Sequence, residues 1–174
     1  MHVRFAAPEL KQIDALRCEA LALPFFSDER PLRGPLGLVD WRMRGFVSRL
    51  LVQGKLHGTP LETVLIPGRP KLSMDKLFLF GLGPQVGFDT AQLERVIDHM
   101  LNTLSKAHVR TTALVLPGRS THLIGAAVAM EAFVTSALHR DEHDEIILLE
   151  AADEQKQMEP VVERERRRAR ALLP

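Results

Sequence analysis

The chain has 174 residues, 45% of them hydrophobic, which is enough for one domain built around a single core. Its 23 Lys and Arg residues against 22 Asp and Glu give a net charge of +1, which excludes an overall field that attracts nucleic acid or anionic membranes. The sole cysteine, Cys18, excludes an internal disulfide and a multi-thiolate metal site. Because no apolar run reaches roughly 18 residues and the N-terminus does not resemble a signal peptide, we expect a cytoplasmic protein.

In the first half of the chain, apolar periodicity predicts strands and one helix. A buried strand is predicted at 20–26, where an apolar run is bounded by turn residues. A helix over about 36–53 follows, because its apolar residues recur on one face, and it is predicted to stop near Gly54. Two more short apolar runs predict strands at 63–66 and 77–80.

The clearest helix of the second half is predicted from Asp89 to about Ala107. Its apolar residues form one stripe, and Asp89 with Gln92 has the spacing of a capping box that fixes the helix start. The remaining predicted elements are a strand at 113–116, a helix from its N-cap Ser120 to about His139, and a strand at 145–149.

Strands that alternate with amphipathic helices predict an α/β domain with a largely parallel sheet covered on both faces. We assign this domain to residues 1–152. The tail, residues 153–174, differs because it contains five acidic and six basic residues. It is predicted to be a solvated helix with Pro160 near its start.

A His-x-x-Glu-His pattern at His139, Glu142 and His143 has the spacing of inverted zinc-peptidase motifs. Two histidines four residues apart on a helix point the same way, and a nearby Glu can move the proton of a water molecule. The pattern lies where the predicted helix ends, however, and a buried strand and the charged tail follow it. We therefore favour a solvated turn, and we predict neither a metal nor a cofactor.

Two junctions between a strand and a helix, loops 81–87 and 117–121, are the candidate ligand site. Backbone amides at such junctions can bind phosphate, and Arg and Ser side chains can meet an anion. Loops at the carboxyl ends of neighbouring strands commonly build one crevice. Turns that only reverse the chain are the alternative, because neither loop has a complete phosphate-binding motif. The candidate ligand-binding residues are Gly81, Gly83, Gly118, Arg119 and Ser120.

The Arg-rich part of the tail is a candidate contact for nucleic acid or for an acidic partner. Glu residues are interleaved with the Arg residues and no aromatic residue is near, which favours a helix whose charges pair with each other. The candidate residues are Arg164, Arg166, Arg167 and Arg168.

Residues 29–63 and 76–96 together resemble the N-terminal domain of the leucyl aminopeptidase family. The resemblance depends on Gly34 and Asp40 around a helix start, on "GKLHG" at 54–58 and on "GLG" at 81–83, and it extends over about residues 15–150. It implies a macro-domain-like, three-layer α/β/α sandwich with a mixed, mostly parallel sheet. Even the last residues, "RRRARALLP", resemble the helix that precedes the catalytic half of that family.

For activity, the resemblance implies an absence of catalytic residues. In that family the two metals and the catalytic Lys and Arg belong to the C-terminal domain, which carries an Asn-Thr-Asp-Ala-Glu-Gly-Arg signature. The single asparagine of this chain, Asn102, is followed by Thr103 and Leu104. No catalytic residue is therefore carried over, and the histidine pattern lies outside the positions that the family uses for metal.

These observations predict a non-catalytic binding or assembly module that acts through protein contacts, with a protein partner or with itself. The alternative is a small anionic ligand of the nucleotide or ADP-ribose type at loops 81–87 and 117–121. A second and less favoured alternative is nucleic acid at the Arg-rich tail. We expect no membrane partner.

Overall fold

The computed structural model of the chain describes residues 1–137 and 140–171, which contain one six-stranded sheet. The sheet order is β1-β6-β5-β2-β4-β3, and every neighbouring pair is parallel except the antiparallel pair β3 and β4. The predicted mixed, mostly parallel sheet is therefore confirmed. The strands are β1 (His2–Ala6), β2 (Ala20–Phe25), β3 (Thr63–Pro67), β4 (Lys76–Gly81), β5 (Thr111–Leu114) and β6 (Glu145–Leu149).

Helices cover both faces of this sheet, as a three-layer α/β/α sandwich requires. Leu21, Leu23 and Phe25 of β2 face the core shared with α1, α2 and α3, whereas Ala20 and Ala22 face the core shared with α4, α5 and α6. This alternation follows from the two-residue period of a strand. The helices are α1 (Leu10–Ala15), α2 (Gly34–Arg42), α3 (Phe46–Val52), α4 (Thr90–Lys106), α5 (Ala126–Ala137) and α6 (Ala152–Ala171).

Helix α4 confirms the prediction that was drawn from local sequence alone. The Asp89 carboxylate accepts the Gln92 N–H, and the Gln92 side chain accepts the Asp89 N–H, so the capping box is complete. All six residues of the predicted apolar stripe are buried. They are Leu93, Val96, Ile97, Met100, Leu101 and Leu104.

The prediction of one continuous helix between β2 and β3 is wrong, because two helices, α2 and α3, occupy this region. Arg44 and Gly45 between them have φ values of 57° and 72°, in the left-handed region that ends a right-handed helix. The buried Asp40 carboxylate then starts α3, since it accepts the N–H groups of Val47 at 2.8 Å and of Ser48 at 3.1 Å. Both helices bury the same face, so the apolar pattern does not show the break.

The predicted start of α5 at Ser120 is also wrong, because the helix begins at Ala126. Residues 117–122 form turns, with a φ of 77° at Gly118 and of 56° at His122. A helix cannot continue through residues in this left-handed region. The predicted end of α5 at His139 lies outside the described residues.

The N-terminal strand β1 and the short helix α1 were not predicted from the sequence. Strand β1 lies at the edge of the sheet, and its residues are exposed or half-buried rather than forming a buried apolar run. Helix α1 has six residues and buries only Ile13. Both elements are too short, and too little buried, to show a clear periodicity.

The C-terminal helix α6 begins at Ala152 and packs against α5. Pro160 lies inside the helix, which corrects the prediction that it lies near the helix start. Met158 and Val161 are buried in the core on this face, so the helix is not fully solvated. The division of the chain into residues 1–152 and 153–174 stays a prediction. No helix within the described ranges is long and apolar enough to cross a membrane.

Candidate functional site

The two candidate loops lie side by side at the carboxyl ends of central strands of the sheet. Strands β2, β4 and β5 are parallel neighbours, so the segments that follow them begin at the same end of the sheet, where the carboxyl ends of the strands meet. Leu82 from the loop after β4 lines the same small space as Gly118 and Ser120 from the loop after β5. The segment after β2 contributes Phe26 and Glu29 to this space. We call it the loop crevice.

The loop crevice is closed by side chains of the chain itself. It leaves no space for a water-sized molecule. Phe26 packs edge-to-face against Phe88, with their ring centroids 5.0 Å apart. Ser120 lies against the start of α2, where a methyl group added to Gly34 would be 2.7 Å from the Ser120 hydroxyl oxygen. The segment that follows β2 therefore covers the predicted ligand site.

A buried carboxylate holds this covering segment in place. Glu29 accepts the N–H of Phe26 at 3.2 Å and the N–H of Arg33 at 2.9 Å, so it ties the two ends of the segment together. Burial raises the pKa of the Glu29 carboxyl, and the two backbone hydrogen bonds offset this effect only in part. Glu29 is thus a buried acidic group whose hydrogen bonds lie inside the fold.

The three candidate glycines of the site are packed against other parts of the chain. A methyl group at Gly81 would overlap the carbonyl oxygen of Thr59. At Gly83 it would lie 2.8 Å from Pro60, and at Gly118 it would lie 2.6 Å from Ile124. Close packing within the fold is therefore sufficient to explain the requirement for glycine at these positions.

The guanidinium group of Arg119 is turned into the fold, and only 3% of its side chain is exposed. Its Nε donates to Glu150 at 2.7 Å, and its Nη1 donates to the carbonyl oxygen of Ile124 at 2.6 Å. Its Nη2 lies 3.0 Å from a carboxylate oxygen of Glu154. The two groups form an ion pair, although their geometry is not that of a hydrogen bond. Arg119 thereby ties the turn before α5 to the start of α6. A ligand role for Arg119, Ser120 and the three glycines stays a prediction.

The described residues of the histidine pattern, Glu142 and His143, are not arranged as a metal site. His143 is buried, and its Nδ1 lies 3.1 Å from the carbonyl oxygen of Val109, whereas Glu142 is exposed and lies 3.8 Å from Arg140. His139 lies outside the described residues. In the parts of the chain that the structure describes, no three His, Cys, Asp or Glu side chains are grouped to hold a metal ion. The predicted solvated turn is wrong at His143, because this ring is packed inside.

The described arginines of the tail are paired with acidic residues. Arg164 contacts Glu131 of α5 at 2.7 Å and Glu165 at 3.3 Å. Arg167 lies 3.9 Å from Glu163, one helical turn away. The side chains of Arg166 and Arg168 lie outside the described part of the chain, so their contacts stay a prediction. The described part of α6 therefore has the self-paired charges that the sequence favours.

Comparison with known proteins identifies the family. The sequence profile of the cytosol aminopeptidase family, N-terminal domain, matches residues 22–145. The chain belongs to this family. A probable cytosol aminopeptidase of Cyanothece sp. is 24% identical over 123 residues, which cover 71% of this chain and 25% of that protein. The chain thus spans about a quarter of the length of this curated relative.

Solved structures confirm the macro-domain-like fold of this cytosol aminopeptidase N-terminal domain. A tomato leucine aminopeptidase variant superposes with a TM-score of 0.62 and 12% identity, over 91% of this chain and 35% of that one. A Trypanosoma brucei macrodomain in complex with ADP-ribose superposes with a TM-score of 0.70 and 16% identity, over 92% of this chain and 69% of that one. The resemblance stated from the sequence is therefore confirmed in family and in fold.

The N-terminal domain also has a surface groove that the sequence analysis did not identify. This groove has a volume of about 870 Å³ and lies on the side of the sheet that carries α2 and α3. Trp41 lines it and is 71% exposed, together with Arg42 and Arg44. The signal in the sequence is a tryptophan among arginines, "WRMR" at 41–44, which lies within the segment whose periodicity predicts an amphipathic helix.

Proposed function

We propose that this N-terminal domain acts as a non-catalytic binding and assembly module through contacts with proteins. The observation that carries the proposal is the closed loop crevice, because Phe26 and the rest of the covering segment leave no space for a water-sized molecule where a small ligand would be expected. The family match supports the same role, since it covers the N-terminal domain of the family rather than its catalytic half. The cytosol aminopeptidase relative supports a cytoplasmic location.

Self-association is the first expected result of this function. Large apolar side chains remain on the surface, including Val52 and Val86, each 88% exposed, and their burial between copies would favour association. We expect light scattering to give a mass above the 19.5 kDa of one chain, and this mass should rise with protein concentration. A mass of one chain at every concentration, together with no protein retained in pull-downs, would contradict the proposal.

Binding of a nucleotide or ADP-ribose is the second candidate function. It is favoured by the macrodomain of Trypanosoma brucei, which has the same fold and is in complex with ADP-ribose. In the present chain the loops 81–87 and 117–121 would first have to separate, and Phe26 would have to leave Phe88. A titration with ADP-ribose separates this candidate from the first.

Nucleic-acid binding by the Arg-rich tail is the weakest of the three candidates. Arg164 and Arg167 already contact acidic residues, so phosphate groups would have to compete with Glu131 and Glu163. Binding to a DNA duplex that weakens steeply as salt rises would support this candidate, because neutralised phosphates release counterions.

A further inference from the structure

We propose that the groove lined by Trp41, Arg42, Arg44 and Lys71 is a docking site for an acidic protein segment. We call it the basic groove. The inference rests on the proposed protein-binding function and specifies the chemistry of the partner, namely an extended segment in which carboxylates alternate with apolar side chains.

The shape of the basic groove suits an extended segment better than a small molecule. It is an open groove of about 870 Å³, with Pro31 and Pro70 among its lining residues. The Trp41 side chain lines it and is 71% exposed, which is unusual for a tryptophan. Tryptophan and arginine are the residue types most enriched among the side chains that dominate binding energy at protein interfaces. A partner's apolar side chain would therefore cover the indole.

Three of the residues that line the basic groove are basic and one is acidic, although the whole chain is nearly neutral. The acidic lining residue is Asp40, whose carboxylate is engaged by the N–H groups of Val47 and Ser48. An excess of basic side chains along a groove attracts carboxylates. The basic lining residues are Arg42, Arg44 and Lys71.

Two of the basic side chains that line the groove are available for a partner. Arg42 is paired with Asp14, although its buried Nε has no acceptor in the described part of the chain. Arg44 and Lys71 are exposed, and neither forms an ion pair with a described acidic residue. These two cations line the same groove as Trp41. Two carboxylates of one bound segment would pair with them.

An acidic protein segment fits the basic groove better than a single strand of nucleic acid does. Proteins that bind single strands present several aromatic rings, on which successive bases stack. Trp41 is the only aromatic residue among the described lining residues of the groove. Clusters of arginines are instead a recurring means by which proteins recognise acidic motifs.

The emission of Trp41 tests the inference directly, because it is the only tryptophan of the chain. The probe is a short peptide of alternating Glu and Leu, titrated into the full chain at low salt. We expect the emission to shift to the blue until the peptide saturates the chain. Because salt screens exposed charges, the peptide should bind more weakly as the salt concentration rises. A peptide with Gln in place of Glu, and an oligothymidylate, serve as controls. No shift with the Glu peptide, an equal shift with the Gln peptide, or tighter binding of the oligothymidylate would each overturn the inference.

Variants locate the binding on the groove, with anisotropy of a labelled Glu-Leu peptide as the measurement. We expect the double variant Arg44→Asn, Lys71→Glu to bind about tenfold more weakly, since two exposed ion pairs are lost. Asn tolerates the positive φ of residue 44, so the fold should persist. Arg95→Glu, an exposed change on α4 across the sheet, should bind as the wild type does. Equal weakening by both variants, or by neither, would overturn the inference.

The two proposals can fail separately. If light scattering shows association but no peptide binds, the assembly function stands and the acidic partner is wrong. If the chain stays monomeric and no protein is retained in pull-downs, a peptide signal that is unchanged in the groove variants would remove both proposals.

Discussion

Replacement of Arg119 by alanine is expected to lower the free energy of unfolding by about 3–5 kcal/mol, because it leaves the buried Glu150 carboxylate without its partner. The carbonyl oxygen of Ile124 would lose its hydrogen-bond donor at the same time. In a domain of this size the loss should lower the melting temperature by about 10 °C. Thermal and urea unfolding, followed by circular dichroism, measure this effect.

A matched control and a rescue variant make the Arg119 experiment specific. Arg164→Ala removes an exposed ion pair with Glu131 and should cost less than about 1 kcal/mol. Changing both Arg119 and Glu150 to Met should recover part of the lost stability, because the buried Glu150 charge is removed together with its partner. If Arg119→Ala lowers the free energy of unfolding no more than Arg164→Ala does, Arg119 is not needed for stability. Its predicted role in ligand binding would then be favoured.

Replacement of Gly81 by alanine is expected to lower the free energy of unfolding by about 2–3 kcal/mol, because the added methyl group overlaps the backbone at Thr59 and Gly58. Gly125→Ala is the matched control, since nothing lies within 4 Å of a methyl group there. This control should change stability by no more than about 1 kcal/mol. The same unfolding measurement applies to both variants.

The glycine pair also tests why the loop after β4 contains glycine. If Gly81 serves only the approach of a ligand, Gly81→Ala should be as stable as Gly125→Ala. Equal stability of the two variants would contradict the packing explanation given for the candidate glycines. A clear difference would show that the backbone near Gly58 and Thr59 requires a glycine at this strand end.

The parts of the fold that were predicted correctly are those with local signals. Helix α4 has its whole apolar stripe and its capping box within one segment, so the sequence contains the start and the buried face together. The central strands are predicted because both of their faces are buried, which gives continuous apolar runs. The break between α2 and α3 was missed, because it depends on the backbone angles at Arg44 and Gly45 rather than on composition.

The proximity of the two candidate loops can be predicted from the sequence, but their side-chain contacts cannot. That loops 81–87 and 117–121 come together follows from the parallel order of their strands. The contacts of Arg119 could not be predicted, because Glu150 lies 31 residues away in sequence and approaches only when α6 packs against α5. The cover formed by Phe26 and Glu29 depends likewise on how a loop folds over the sheet edge, which has no periodic signal.

A calorimetric titration of ADP-ribose into the full chain tests the central claim most directly, namely that the loop crevice is filled by the chain's own side chains. A ligand can bind there only if Phe26 and the covering segment move, and this costs the packing and hydrogen bonds that now hold them. The account predicts only the heat of dilution and no rise in melting temperature. Saturable binding of one ADP-ribose per chain, with a Kd below about 1 mM, would contradict it.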